Sequence, residues 1–433
     1  MNILIAAAGS YGDIAPYTGL GARLRAAGHQ VALATHDGHA PLVRAAGLDF
    51  RSLPADPRAA GPGEPATAGT PTGRRALMRR AAAFVEQLGT GMADAVAPDT
   101  ELLLLTTTTA PLGWHLAEAL DIPSVGAYLV PTAPTRAFSP VVSGGRQLGG
   151  WGNRAAGRFS VRVVDRLYTG AARALRTRLG LPPATPATVR RRVEAADWPV
   201  LHGFSELVVP RPADWRPGLD VTGYWWPHHA PDAQLPSALE DFLDAGPPPV
   251  SLGFGSMAAD DAERLSALAV RALRRAGLRG VLLSGSAALT AADSPGDDIL
   301  TVPTAVPHAL LFPRVAAAVH HCGAGTSAAA LRAGVPSVPV PFTADQPFWA
   351  ARLAALGAAT AALPFPALAT KLSLDDAVAR LAAALTEATT TPALRTRARD
   401  AARHLAAEDG PTAALAALDR LAHRPSSHPH RTR

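Results

Sequence analysis

His321, Gly323, Gly325 and Thr326, followed one strand later by Asp345 and Gln346, place a ring nitrogen, a small-residue turn and two polar side chains in one strand–turn–helix unit. Val315 to His320 reads as a short buried strand. Gly323 and Gly325 let the backbone turn tightly, and Thr326 is positioned to cap a helix running to about Arg332. A helix start built this way presents unpaired N–H groups at a positive dipole end, which suits a phosphate or diphosphate, and His321 adds a further donor. There is no G-x-x-x-x-G-K-[ST] loop, and the G-x-G lacks a third glycine. Such a turn also occurs without any ligand, so alone it leaves binding and plain structure both open. His320 points to the opposite face of the strand from His321 and is expected to be a satisfied core histidine.

A second set lies after the first strand, in Gly9-Ser10-Tyr11-Gly12-Asp13. In an open α/β sheet, ligands gather at the carboxyl ends of strands. Taken alone, Asp13 is explained by a helix start, where a carboxylate is favoured by ~0.3–1 kcal/mol.

The ordered string His321, Gly323, Gly325, Thr326, then Asp345-Gln346-Pro347, resembles the donor-binding signature of family 1 nucleotide-sugar-dependent glycosyltransferases, especially bacterial natural-product and sterol glucosyltransferases. The resemblance implies that His321, Gly323, Gly325 and Thr326 meet a diphosphate, and that Asp345 and Gln346 meet the sugar hydroxyls. VSLGFGSM (Val250 to Met257) is similar to the family's first donor-domain strand and turn, where Ser256 approaches the diphosphate. The stretch from Val306 is similar to the nucleotide segment, with the Val306 backbone and His308 near the base. VTGYWWP (Val221 to Pro227) is similar to the end of the N-terminal domain. G-S-x-G-D implies that Asp13 reaches the acceptor as general base, with Ser10 and Gly12 closing on the diphosphate from the other domain. Some relatives orient a histidine here through an aspartate near the fourth strand. This chain has Thr106-Thr107-Thr108-Thr109 there, so no His-Asp dyad is visible.

The implied fold is GT-B: two doubly wound α/β domains facing across a cleft. The implied reaction is inverting transfer of a sugar from a UDP- or dTDP-sugar to a hydroxyl of a hydrophobic natural-product or sterol-like acceptor. No Asp-x-Asp motif occurs, so no metal and no cofactor are expected, and the helix start and His321 carry the leaving charge. Two rivals are an epimerase-like GT-B enzyme acting on the nucleotide sugar itself and a non-catalytic helper of a partner transferase. Helpers commonly lose donor residues, and His321, Thr326, Asp345 and Gln346 are all present.

The elements that must hold these residues follow from length and patterning. The 433 residues, 48% hydrophobic and 18% charged, suit two folded α/β domains. Net charge is +6, but the basic residues are scattered and no nucleic-acid motif appears. Lys371 is the single lysine, so the basic character is arginine. Cys322 stands alone, so no internal disulfide or cysteine zinc cluster can form. With no basic leader and no apolar run of roughly 20 residues, the expected setting is cytoplasmic.

The expected domains are an acceptor domain over 1–225, a linker over 226–248 carrying a short helix, and a donor domain over 249–424. The last helix is a candidate to pack back on the first domain, and 425–433 reads as a disordered tail. In the first half, expected strands are Asn2 to Ala8, His29 to Thr35, Leu48 to Leu53, Glu101 to Thr108 and Ser124 to Val130, with helices Thr18 to Ala27, Ala40 to Ala46, Arg74 to Val96 and Leu112 to Leu120. Pro131 to Pro199 interrupts the alternation with an amphipathic stretch from Trp151 to Leu179. That stretch is either a substrate-pocket insertion or a packed helix, and its Arg158, Arg162, Arg166 spacing also permits peripheral contact with an anionic membrane. The second half predicts strands at Val250 to Gly253, Gly280 to Ser284, Ile299 to Val302 and Ser337 to Val340. Its expected helices are Asp260 to Arg275, Asp375 to Leu385 and Leu394 to Ala422.

Overall fold

Leu102 to Leu105 are four leucines in a row, all buried, and a run apolar on both faces folds as a central strand covered by helices on each side. In the computed structural model, which describes residues 1–54, 71–230, 232–255, 262–291 and 296–422, this run is β4 of a seven-stranded sheet. The sheet comprises β1 (Asn2–Ala6), β2 (Gln30–Thr35), β3 (Asp49–Ser52), β4 (Leu102–Leu105), β5 (Ser124–Tyr128), β6 (Val200–His202) and β7 (Leu219–Val221). The order is β3-β2-β1-β4-β5-β6-β7, and every pairing is parallel. The second sheet comprises β8 (Val250–Gly253), β9 (Gly280–Leu283), β10 (Ile299–Val302), β11 (Ala317–His320) and β12 (Ser337–Pro339), in the parallel order β10-β9-β8-β11-β12.

In each sheet the strand order reverses once, between β1 and β4 and between β8 and β11. Those crevices are where an open parallel sheet admits a ligand. The carboxyl end of β1 leads into Gly9 to Asp13, and β11 leads into His321, so both predicted constellations sit at reversal points. The fold is GT-B.

Several expectations need correction. The first helix is Tyr11–Ala26, not Thr18 to Ala27. Pro16 withholds one helical N–H, but Ile14, Ala15, Tyr17, Leu20 and Leu24 are buried, and that burial outweighs one lost bond. The amphipathic stretch Trp151 to Leu179 folds as the helix Gly149–Arg178, in line with the packed-helix reading, whereas the helix Pro186–Ala195 and the strands β6 and β7 were not anticipated. The expected single helix from Leu394 to Ala422 is two, Pro392–Ala406 and Gly410–Ala422, and a helix Gln346–Ala355 was not anticipated. Most of the Pro54 to Gly73 loop, Ser256, and the tail 425–433 lie outside the described residues.

The chain passes between the two lobes twice. After β7, Trp226 and His228 lie along the first helix, where the His228 N–H donates to Thr18 Oγ1 at 2.9 Å and the Arg332 guanidinium stacks 4.4 Å from the centre of the Trp226 ring. Near the end, Glu408 accepts a bond from Ser205 Oγ at 2.5 Å. Gly410 lies so close to the 223–224 backbone that a Cβ would stand 2.4 Å from the Tyr224 carbonyl oxygen. The helix Gly410–Ala422 then buries Ala414, Ala417 and Leu418 against Tyr17, Leu20 and Leu24 of the first lobe.

Candidate active site

His320 and Gly253 are paired residues of β11 and β8, so the residues that follow each emerge side by side at the reversal point. Gly255 has φ +60°, a conformation that suits glycine. A Cβ there would stand 2.9 Å from His321 Cε1, and one on Gly323 would stand 2.6 Å from His321 Nε2. The imidazole therefore fills a slot between two glycines, with Nε2 toward the helix start. Burial pulls the His321 pKa down to about 4, so near neutral pH the ring carries no charge and donates one proton.

The helix behind this slot is Ala324–Ala333, with Gly323 at its N-cap and no side-chain cap bond. Thr326 is therefore inside the first turn and does not cap the helix, contrary to the sequence expectation. The first bond of the helical ladder is Ser327 N–H to Gly323 carbonyl, 3.0 Å, so the amides of Ala324, Gly325 and Thr326 point outward without intrahelical acceptors. Among the described residues nothing outside the helix's own backbone lies within 4 Å of a Cβ built on Gly325. The glycine thus faces open space, unlike Gly323. His320 is the core histidine expected: its Nδ1 accepts from Cys322 N–H at 3.1 Å and its Nε2 bonds Ser337 Oγ at 3.0 Å.

Asp345 stands at the N-cap position of the helix Gln346–Ala355 without a side-chain cap bond, and its Oδ2 accepts from Trp349 Nε1 at 2.8 Å. Burial raises its pKa, the Trp349 bond opposes that, and the Asp13 carboxylate raises it further. Asp13 belongs to the first lobe, so the two carboxylates are close enough to feel one another across the gap. Gln346 is buried and spends its side-chain oxygen on the N–H groups of Phe342, at 2.7 Å, and Thr343, at 3.1 Å. It thereby braces the loop that carries Asp345.

Asp13 is exposed, three residues into its helix. Ser10 donates to Asp13 Oδ2 twice, from its N–H at 2.6 Å and its Oγ at 2.7 Å. A Cβ on Gly9 would stand 2.5 Å from that same oxygen, so the glycine keeps the carboxylate seated. Gly12 is exposed beside it. The two helices that carry these sets, Tyr11–Ala26 and Ala324–Ala333, touch.

His308 lies flat on Phe312, ring centres 4.4 Å apart. Burial, then the neighbouring imidazoles of His321 and His229, draw its pKa down to about 4. Val306, two residues before His308, is half-buried and packs on a separate core cluster with Leu311 and Phe312. Thr106 and Thr109 are tied to the sheet, with Thr109 Oγ1 donating to the Ala6 carbonyl at 2.7 Å, so the fourth strand offers Asp13 no carboxylate or imidazole. Two contributors were missed from sequence: Gly255, legible only as a turn, and Trp349, whose spacing from Asp345 signals contact only once Pro347 is read as a helix start. Among the described residues no group of three or more His, Cys, Asp or Glu is placed to hold a metal, and no helix is long and apolar enough to cross a membrane.

Two facing parallel-sheet lobes with a helix start and a carboxylate opposed across the crevice define the GT-B glycosyltransferase class. The glycosyltransferase family 28 N-terminal domain model matches residues 3–139, and the erythromycin biosynthesis protein CIII-like C-terminal domain model matches residues 288–421. The chain is 38% identical over 420 residues to the O-mycaminosyltylonolide 6-deoxyallosyltransferase of Streptomyces fradiae, covering 95% of each. It is 31% identical over 400 residues to the sterol 3-beta-glucosyltransferase UGT80A2 of Arabidopsis thaliana, 87% of this chain but 60% of that relative's length. Among solved structures it superimposes on the kitacinnamycin glycosyltransferase with TM-score 0.68 and 21% identity, covering 97% of this chain and 98% of that one. The chain belongs to the family 1 glycosyltransferases.

Proposed function

We propose that this glycosyltransferase moves a sugar from a UDP- or dTDP-sugar to a hydroxyl of a hydrophobic natural-product or sterol-like acceptor, with inversion and without a metal. The observation that carries the reading is the open helix start: three outward amides, Gly325 facing empty space, and a neutral His321 held in a glycine slot beside them. The relatives' names, a macrolide deoxyallosyltransferase and a sterol glucosyltransferase, support the acceptor class.

In this mechanism Asp13 takes the acceptor proton on the oxygen that Ser10 does not use. The acceptor oxygen bonds the anomeric carbon as the bond to the diphosphate breaks on the opposite face. The charge that leaves with the diphosphate is gathered by the amides of Ala324 to Thr326, His321 Nε2–H and the helix dipole. Ser10 and Gly12 close on the diphosphate from the first lobe, and Ser256 belongs to the same donor set. Asp345 and Gln346 meet the sugar hydroxyls, and Val306 and His308 meet the base.

The test is a melting series with UDP, dTDP, GDP and ADP, followed by mass spectrometry of reactions between the matching nucleotide sugars and polyketide or sterol acceptors. UDP or dTDP is expected to raise the melting temperature, since a ligand bound only by the folded state stabilises it, and an acceptor is expected to gain one hexose mass. Consumption of the nucleotide sugar to an isomer without acceptor overturns the reading.

A further inference from the structure

Ten large hydrophobic side chains are exposed among the described residues, and six of them, Val142, Leu148, Trp151, Phe159, Val163 and Val164, fall in one segment. Singly scattered apolar residues need no explanation, but a cluster does. Four of the six lie on the helix Gly149–Arg178, with Trp151 83% and Phe159 66% exposed.

At about 100° per residue, Trp151 and Phe159 share one face of this helix with Arg158, Arg162, Arg166 and Arg173, with Val163 at its edge. All of these are exposed, while Tyr168, Ala171, Ala172 and Leu175 are buried on the other side. None of the four guanidinium groups has an ion pair or hydrogen bond among the described residues. The helix holds one carboxylate, Asp165, and Arg190 binds it at 2.9 Å. The outer face is therefore cationic and apolar along its length, with no carboxylate of its own to neutralise it.

The neighbouring helix Pro71–Ala95 extends the pattern. Arg178 bonds Asp94 and the Thr90 carbonyl, so the two helices run side by side, and further up the pair Met78, Arg79 and Arg80 are exposed. At its other end the patch reaches the cleft. A Cβ on Gly145, next to Val142 and Leu148, would stand 3.3 Å from the Pro347 carbonyl oxygen, and Pro347 directly follows Asp345-Gln346.

We propose that this face docks on an anionic lipid bilayer, with Trp151, Phe159 and Val163 entering the headgroup layer and the arginines pairing with lipid phosphates. An exposed helix face with interleaved guanidinium and apolar groups matches a layer that is anionic at its surface and apolar just beneath. A protein partner would have to supply a pocket for the indole, whereas the headgroup layer accepts it at any point. Docking stands apart from the identity of donor and acceptor. It sets the cleft mouth at the lipid surface, where a hydrophobic acceptor concentrates.

The test is co-flotation of the full chain with phosphatidylcholine vesicles, with and without roughly 30% phosphatidylglycerol. The parent is expected to float with anionic vesicles only and to be released by high salt. Trp151→Ser/Phe159→Ser and Arg158→Glu/Arg162→Glu are each expected to lower the partition by about tenfold or more, with sugar transfer to a water-soluble acceptor unchanged. A parent that does not float, variants that float as well as the parent, or retention on heparin without vesicle binding overturns the proposal.

Discussion

Gly325→Ala separates a glycine kept for the protein from one kept for a ligand. A Cβ at position 325 meets nothing within 4 Å among the described residues beyond its own helix backbone, and the residue is in the first turn of a helix, where alanine is the better former. The unliganded protein should therefore gain about 0.4–1 kcal/mol, a degree or two in melting temperature. The same methyl projects into the space from which a diphosphate oxygen must approach the outward amides. Losing one amide bond to a charged oxygen costs ~1.5–3 kcal/mol, which is about a 10- to 150-fold rise in Kd. Gly323→Ala is the control, since its Cβ would stand 2.6 Å from His321 Nε2; it should lower both stability and affinity. Melting curves without ligand and titration calorimetry with UDP and dTDP read the two quantities separately. A Gly325→Ala protein that binds the nucleotide as tightly as the parent refutes the placement of the diphosphate at this helix start.

Asp13→Asn should lower kcat by about 10²-fold or more while leaving nucleotide affinity nearly unchanged; steady-state kinetics beside calorimetry check this, and an active variant removes Asp13 from the mechanism. The acid limb of stability follows from the histidines. Burial lowers His202, His308 and His321 from 6.5 to about 4, and His320 to about 3. The folded state thus binds protons less readily than the unfolded chain, so stability is retained above pH 6.5 and lost as the pH falls toward 4. Urea midpoints at about pH 7.5 and about pH 5 should differ in that sense, and equal midpoints would count against buried neutral imidazoles.

Much of the strand–turn–helix unit around His321 is legible in the chain because its residues answer backbone demands. Gly323 gives way to an imidazole, and His320 satisfies both ring nitrogens inside the sheet, so their types are constrained by contact. β6 and β7 were not legible because three residues each, Val200–His202 and Leu219–Val221, are too short to show a period. The helix Gln346–Ala355 was hidden by Pro347, which reads as a breaker in sequence but sits in a first turn where its missing N–H costs nothing. Asp13 shows the limit of residue type alone. The same carboxylate is bound by Ser10 at its own helix start and is felt by Asp345 in the other lobe, and the second fact is tertiary.

The two passages of the chain between lobes, at the Trp226 segment and at Gly410, have a mechanical consequence. A body pinned to another at two separated points turns easily only about the line through the pins. Admission of substrates and escape of products should therefore follow a single swing, as a door does. A change that frees the second pin at Gly410, far from any substrate, would turn that swing into a wobble.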